Sequence, residues 1–323
     1  MLSYGRSPSG AGRGRARAYR LSWRLFDVLE ALAARWPERA REGVKWLFLA
    51  PALLIVGLLL FGLVVMADAS LRAMDFRTYQ LAEVHSLANY EKLFAWGAFH
   101  VTLGRSLWAT ILVSALALAL AFPYAYALTR TPSRRLRRLL LVGLFLPFFV
   151  GQVVRAYGWL ILLGQQGLVN QLLGLTGLGP YRLLFTFPTV VFGLVQYMLP
   201  FAVLMLAPAL AAIPAEIERA AESCGATRLR ALLRVVVPMA RPGFVAAGLV
   251  VATLTLTDFA IPAILGGGTN DFLANLVHDQ FFRTSNAGLG SAIALVLTFL
   301  GTSVAGLLLA LAGVGALGVR GAR

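Results

Sequence analysis

Charge is scarce in this chain. Asp, Glu, Lys and Arg make up 13% of its 323 residues, against about a quarter in a soluble domain. Acids are rarer than bases, 14 to 29. With 59% apolar residues and a mean hydropathy of +0.77, the sequence suits neither a disordered segment nor a water-soluble globule. One cysteine, Cys224, excludes an internal disulfide and a thiolate metal site. The three histidines, His85, His100 and His278, lack metal-ligand spacing. The only two lysines, Lys45 and Lys92, follow Val44 and Glu91, so the Gly-Lys-Ser/Thr end of a phosphate-binding loop is missing. A Gly-x-Ser-x-Gly elbow is missing too. The chain therefore reads as a non-enzyme with no metal or cofactor of its own.

What is present is a series of long uncharged runs. Lys45 to Asp68 encloses 22 uncharged residues, Arg105 to Arg130 encloses 24 and Arg182 to Glu216 encloses 33. Arg138 to Arg155 encloses 16, Arg241 to Asp258 another 16, and Arg283 to Arg320 encloses 36. About 20 apolar residues in a helix cross a bilayer, and only helices satisfy their own backbone there. The runs predict an all-α membrane protein with six spans near 46–66, 107–128, 139–163, 187–207, 244–265 and 290–313. The first is too long for a signal-peptide core and follows 45 residues.

The bases fall on one side of this pattern. Segment 1–45 carries ten, 129–138 five, 208–243 five and the C-terminus two. The alternate side holds seven: Arg72, Arg77, Lys92, Arg105, Arg155, Arg182 and Arg283. By the positive-inside rule both termini lie in the cytoplasm. The net charge of +15 is then mainly a topology signal. Its dispersion over four segments, with no nucleic-acid motif, argues against nucleic acid as a partner.

Three regions follow: 1–45, a basic arm (1–19) and an amphipathic helix (20–36); 46–313, the six-helix domain; and 314–323, a tail. Leu21, Leu25, Leu29, Leu32 and Trp36 repeat at helical spacing between Arg20, Arg24 and Arg35. That pattern suits either a helix on anionic lipid or a solvated one. Segment 67–105 reads as an outer connection with short helices. Segment 164–186, rich in glycine, admits a short helix around Leu168–Leu173, and Gly266-Gly267-Gly268 opens an outer loop over 266–289.

The loop 208–243 is the most organised part. Pro214 is placed for the first helical position. Glu216, Glu218 and Glu222, with Ala215, Ala220 and Ala221, continue a helix of about three turns. Gly225 suits a left-handed stop. Thr227 is placed to cap a second helix carrying Arg228, Arg230 and Arg234 and ending before Pro238. From the residues alone this is either a peg for a partner or a solvated interfacial loop.

Ala220-Ala221-x3-Gly225, then Val237-Pro238 and Pro242-Gly243, resembles the "EAA" loop of permease subunits of binding-protein-dependent ABC importers. Arg219 stands where that family has its leading Glu, with Glu218 one place earlier. Leu146-Pro147-Phe148, Val154-Arg155-x-Tyr157-x-Trp159 and Gly167-Leu168-x-Asn170 are similar to the spermidine/putrescine branch. So are Leu199-Pro200-Phe201, Asp258-Phe259-x-x-Pro262-x-x-Leu265-Gly266-Gly267 and Asn275-Leu276-x-x-Asp279-Gln280-Phe281. The resemblance covers roughly 46–313 and implies a type I ABC importer permease fold.

It further implies an ATPase dimer, with ATP-Mg on that partner, gripping Glu216, Glu218, Arg219, Ala220, Ala221, Glu222, Gly225 and Pro238. A second permease subunit and an extracytoplasmic solute-binding protein complete the expected assembly. A polyamine is the expected solute, with iron(III), thiamine or phosphonate as alternatives within the class. An ATP-independent secondary transporter is the rival outside it.

Two charges fall at membrane depth, where either costs at least about 2.5–3.5 kcal/mol unless it faces protein or water. Asp258 either lines the pathway and attracts a cation, braces an outer gate, or partners Arg155 or a backbone group. Arg155 either snorkels outward, pairs with a carboxylate, or packs near the gate. Tyr157 and Trp159 beside it are interfacial anchors or gate residues, and Gln196 is a further candidate for the cavity.

Overall fold

The computed structural model describes residues 38–78, 80–177 and 179–312. The expected basic arm, amphipathic helix and C-terminal tail lie outside them. The chain divides into two units, one ending at Val65 and the other beginning at Met66. Helix α1 (Glu38–Ser70) runs across the division. Its stretch Phe48–Ser70, 23 residues with mean hydropathy 2.8, is long enough to span.

In the second unit, strands β1 (Arg72–Asp75) and β2 (Gln80–His85) form an antiparallel hairpin. The sequence reading of 67–105 allows short helices there and does not include this hairpin. Arg77 donates its backbone N–H to Asp75 Oδ1 at 2.9 Å, a local turn that competes with helix. The expected short helix follows as α2 (Ala88–Ala95). Buried Asn89 fastens the hairpin, its Nδ2 donating to Ser70 O at 2.8 Å and Arg72 O at 2.9 Å.

Helix α3 (Gly97–Arg130) starts ten residues before its expected span of 107–128. Arg105 does not interrupt it, because its guanidinium reaches the carbonyls of Thr269 at 3.0 Å and Asp271 at 3.3 Å. The buried face of α3 is mostly small: Thr102, Ser106, Ala109, Thr110, Ala117, Ala121 and Ala125. Small residues let helices approach closely in lipid. Helix α3 accordingly packs along α7 (Phe187–Ala211) and α10 (Arg241–Leu256). At Gly243 of α10 an added methyl would run into Ala209 of α7. Helix α7 is central: 56% of its apolar window is buried, against 28% for α3 and 22% for α13 (Ala287–Ala312).

Two expected spans are broken. The third is α4 (Arg134–Phe149) and α5 (Gln152–Leu162), bent by 97°. Pro147 and Gly151 explain the break, since proline removes a donor and Gly151 takes an extended conformation. The fifth stops at α10 and resumes as α11 (Ala260–Gly266), with Asp258 in the gap. Between them lie α6 (Leu168–Leu175), α8 (Ala215–Ser223) and α9 (Arg228–Met239). Helix α12 (Leu273–His278) runs on into a π turn, Asp279–Arg283. Among the described residues four helices are long and apolar enough to cross a membrane, and up to six spans result if each bent pair counts as one. The second bent pair is α9 with α10, at 69°.

Candidate functional site

The loop 208–243 builds a short helix held at both ends. Ile213 is buried and anchors the entry. Pro214 is the residue before the helix rather than its first residue, because its ψ of 137° is extended. Helix α8 then runs nine residues, with Glu216 and Glu218 in its first turn, where the helix dipole favours them. Gly225 stops it at φ +85°. The Ala226 N–H reaches Ala221 O at 3.1 Å and the Gly225 N–H reaches Glu222 O at 2.9 Å, a Schellman ending. Thr227 caps α9 through its side chain, which accepts from the Arg230 N–H.

Helix α9 does not end before Pro238, as expected, but runs to Met239. A π turn over Leu232–Val236 precedes the proline. The Val237 N–H bonds Leu232 O, so the widened turn accommodates the proline and its missing donor.

The residues of α8 sort by face. Glu216, Arg219, Ala220 and Ser223 are exposed on one strip, where Arg219 Nη2 meets Glu216 Oε1 at 2.9 Å. Exposed Glu222 lies 3.5 Å from Arg228. Ile217 packs toward the core, and Ala221 is half-buried. Glu218 turns inward to α3. Its Oε1 accepts from Arg130 Nε at 2.8 Å and its Oε2 from Tyr126 Oη at 2.7 Å. Arg130 Nη2 also donates to Ile213 O at 2.8 Å. Glu218 thus faces this chain's own helix, away from the exposed strip. Tyr126 and Arg130 were not among the expected site residues. They share a face of α3 at a four-residue spacing, but no local pattern ties them to a carboxylate 88 positions on.

The charges at membrane depth meet the broken helices. Asp258 is 8% exposed, and both its oxygens are occupied. Oδ1 accepts the Ile261 N–H at 2.9 Å, at the start of α11, and Oδ2 accepts from Gln152 Nε2, at the start of α5. Arg155 neither pairs with Asp258 nor snorkels free. Its Nη2 donates to the carbonyls of Pro147 and Val150, at the end of α4. Its guanidinium stands 5.5 Å from the Tyr197 ring centroid. Each charge therefore serves the helix end whose dipole it matches. Trp159 sets its ring edge-on to Phe192, centroids 4.7 Å apart, while Tyr157 is exposed. Gln196 is half-buried, one residue before Tyr197 on α7, and its Oε1 is buried without a hydrogen-bond partner. Gln152 is the further residue here that sequence reasoning missed.

The loops at the opposite end are also braced. Asn170 holds the 164–181 turn, bonding Gly164 O at 2.9 Å and both backbone groups of Tyr181 at 3.0 Å. Asn275 Nδ2 reaches Phe259 O at 3.0 Å. Burial raises the Asp271 carboxyl above its ordinary range, with Asp279 adding to the shift and Arg105 opposing it. Among the described residues no group of His, Cys, Asp and Glu could hold a metal ion.

The family model described as "Binding-protein-dependent transport system inner membrane component" matches residues 114–313. The chain belongs to this family. As a member, the permease is a multi-pass inner-membrane component of an ABC importer and not its catalytic subunit. It is 31% identical over 260 residues to the spermidine/putrescine transport system permease protein PotB of Escherichia coli K12, covering 79% of this chain and 90% of the relative. It is 29% identical over 268 residues to the E. coli inner membrane ABC transporter permease protein YdcU, covering 79% and 85%. A chain of a bacterial alginate ABC transporter, solved with an alginate pentasaccharide-bound periplasmic protein, has the same fold: TM-score 0.67, 18% identity, 85% of this chain and 95% of that one.

Proposed function

We propose that this permease is one of two transmembrane subunits of an ATP-driven polyamine importer. The observation that carries the proposal is α8: nine residues with a free strip at Glu216, Arg219, Ala220 and Ser223 and the other side tied into the bundle. A helix this short has little stability of its own. Its caps, Ile213 and Glu218 hold it ready for a partner, which is what a coupling element requires.

In this reading the strip faces the cytoplasm, with both termini, and seats in the ATPase dimer. Arg219 on the strip supplies a cation that a partner carboxylate can answer. ATP binding and hydrolysis occur on that partner, and its movement displaces α8 and rocks the spans. Coupling requires that α8 make different contacts in the two states. The solute-binding protein docks on segments 67–105, 164–186 and 266–289 at the other end. A polyamine is favoured by the likeness to the spermidine/putrescine permeases over most of the chain. Asp258 is a brace between α5 and α11 rather than a solute ligand, since its oxygens are spent inside the protein.

The test is reconstitution of the complete importer in liposomes with labelled spermidine. Uptake that needs both ATP and the binding protein is expected. Uptake of another solute class under the same conditions, with none of spermidine or putrescine, would overturn the polyamine assignment.

A further inference from the structure

The importer reading leaves open how a displaced α8 moves anything else. None of its residues is fully buried, and Ile217 alone of them packs against the core cluster. The geometry points to Tyr126 and Arg130 as the positioning residues that fasten α8 to α3, so that the two move together. This inference rests on the importer reading and adds to it the route by which motion leaves the peg.

The Glu218 carboxylate is fully engaged. Arg130 Nε and Nη2 both meet Oε1, and the Tyr126 hydroxyl donates to Oε2 at 2.7 Å. The same Nη2 donates to Ile213 O at 2.8 Å. One guanidinium therefore grips the chain on both sides of Pro214, at the entry to α8 and in its first turn. The pair is shielded, with 19% of the Arg130 side chain and 14% of the Glu218 side chain exposed. Water screens such a pair far less than a surface one. Arg130 also lies at the C-terminus of α3, where the helix dipole favours a cation. Glu216, two residues earlier and on the other face, forms a surface pair with Arg219, at 73% and 70% side-chain exposure, and is free to be exchanged for a partner contact. The two carboxylates of the first turn thus have separate duties, one toward this chain and one outward.

Helix α3 is suited to carry the motion. It is one helix from Gly97 to Arg130, with Pro123 inside it, and packs along α7 and α10. Toward its other end Arg105 holds Thr269 O, and the Ser106 hydroxyl accepts the Leu273 N–H at 3.0 Å. From Ser106 to Arg130 is about 36 Å at 1.5 Å per residue. One continuous helix thereby links the Glu218 clamp to the 266–283 segment.

The test uses the complete importer in liposomes and reads solute taken up and ATP hydrolysed in parallel. Arg130→Gln should lower solute moved per ATP at least about fivefold, the lower range of ordinary coupling energies. The ATPase should still co-purify and still hydrolyse ATP, because the strip it grips is untouched. Tyr126→Phe, which removes one hydroxyl and little volume, should lower the ratio in the same direction by a smaller factor. Arg130→Lys, which keeps a cation facing Glu218 and the Ile213 carbonyl, should recover part of the ratio, which a merely unfolded loop would not. An unchanged ratio in both Arg130→Gln and Tyr126→Phe would overturn the clamp, as would an Arg130→Lys ratio no better than that of Arg130→Gln. If instead the wild-type chain never retains an ATPase, the importer reading itself fails, and that outcome is separate from the variants.

Discussion

Asp258 and Arg155 are charges placed where charge is expensive, and the broken helices explain both. A helix that stops inside a membrane leaves N–H or C=O groups without partners. The Asp258 carboxylate answers an N–H of α11, and the Arg155 guanidinium answers carbonyls at the end of α4. Gln152 joins the two breaks by donating to Asp258. A prediction follows from the symmetry of amides. In Asp258→Asn, the new side chain can still accept from Ile261 and donate to a flipped Gln152, so only the charge is lost. Uptake should stay within about twofold of wild type. Asp258→Ala leaves the N–H groups and Gln152 without an acceptor, a penalty of about 1–3 kcal/mol for each buried group, and should lower the amount of folded protein recovered in detergent. A transport-dead Asp258→Asn present at normal level would show that the negative charge acts on the solute. The sequence marked both residues as exceptional through their depth, but their partners depend on where the spans break.

At the scale of elements, α8 was legible because local chemistry defines it. Proline before the first turn, acids within that turn, glycine in the left-handed cap and threonine before α9 are all rules of neighbouring residues. The π turn before Pro238, the hairpin at 72–85 and the gap at 257–259 were not legible. Each resolves a competition that uncharged runs do not report, such as a proline kept within a continuing helix or a side-chain turn that defeats a short helix. The faces of α8 were hidden for a similar reason: Glu216 and Glu218 look alike in sequence, and only the folded α3 distinguishes them. The cap supplies a prediction at this scale. Gly225 has φ +85° and open space around it, so Gly225→Val creates strain without a clash. A left-handed conformation costs a residue with a side chain about 1–2 kcal/mol, and a β-branched one suits it worst. Ending α8 elsewhere should relieve that cost and misplace the strip. ATP hydrolysis should persist while solute moved per ATP falls. Tightly coupled transport in this variant would contradict the role given to the cap.

At the scale of the whole molecule, six uncharged runs sufficed for the class of fold, because lipid leaves a spanning backbone few options. Order and spacing of the short motifs along 46–313 pointed to the importer permeases, and the family match over 114–313 agrees. In the proposed importer the work of this permease depends on a grip from the ATPase. That grip is placed on the exposed strip of α8, and Cys224 at its end is an exposed thiol and the chain's single cysteine. The most direct measurement is therefore cross-linking from Cys224 with a maleimide photoprobe in membranes carrying the complete importer. The account predicts an adduct with the ATPase subunit, with a yield that changes when ATP is trapped. Full labelling of Cys224 with no ATPase captured in either state would contradict it.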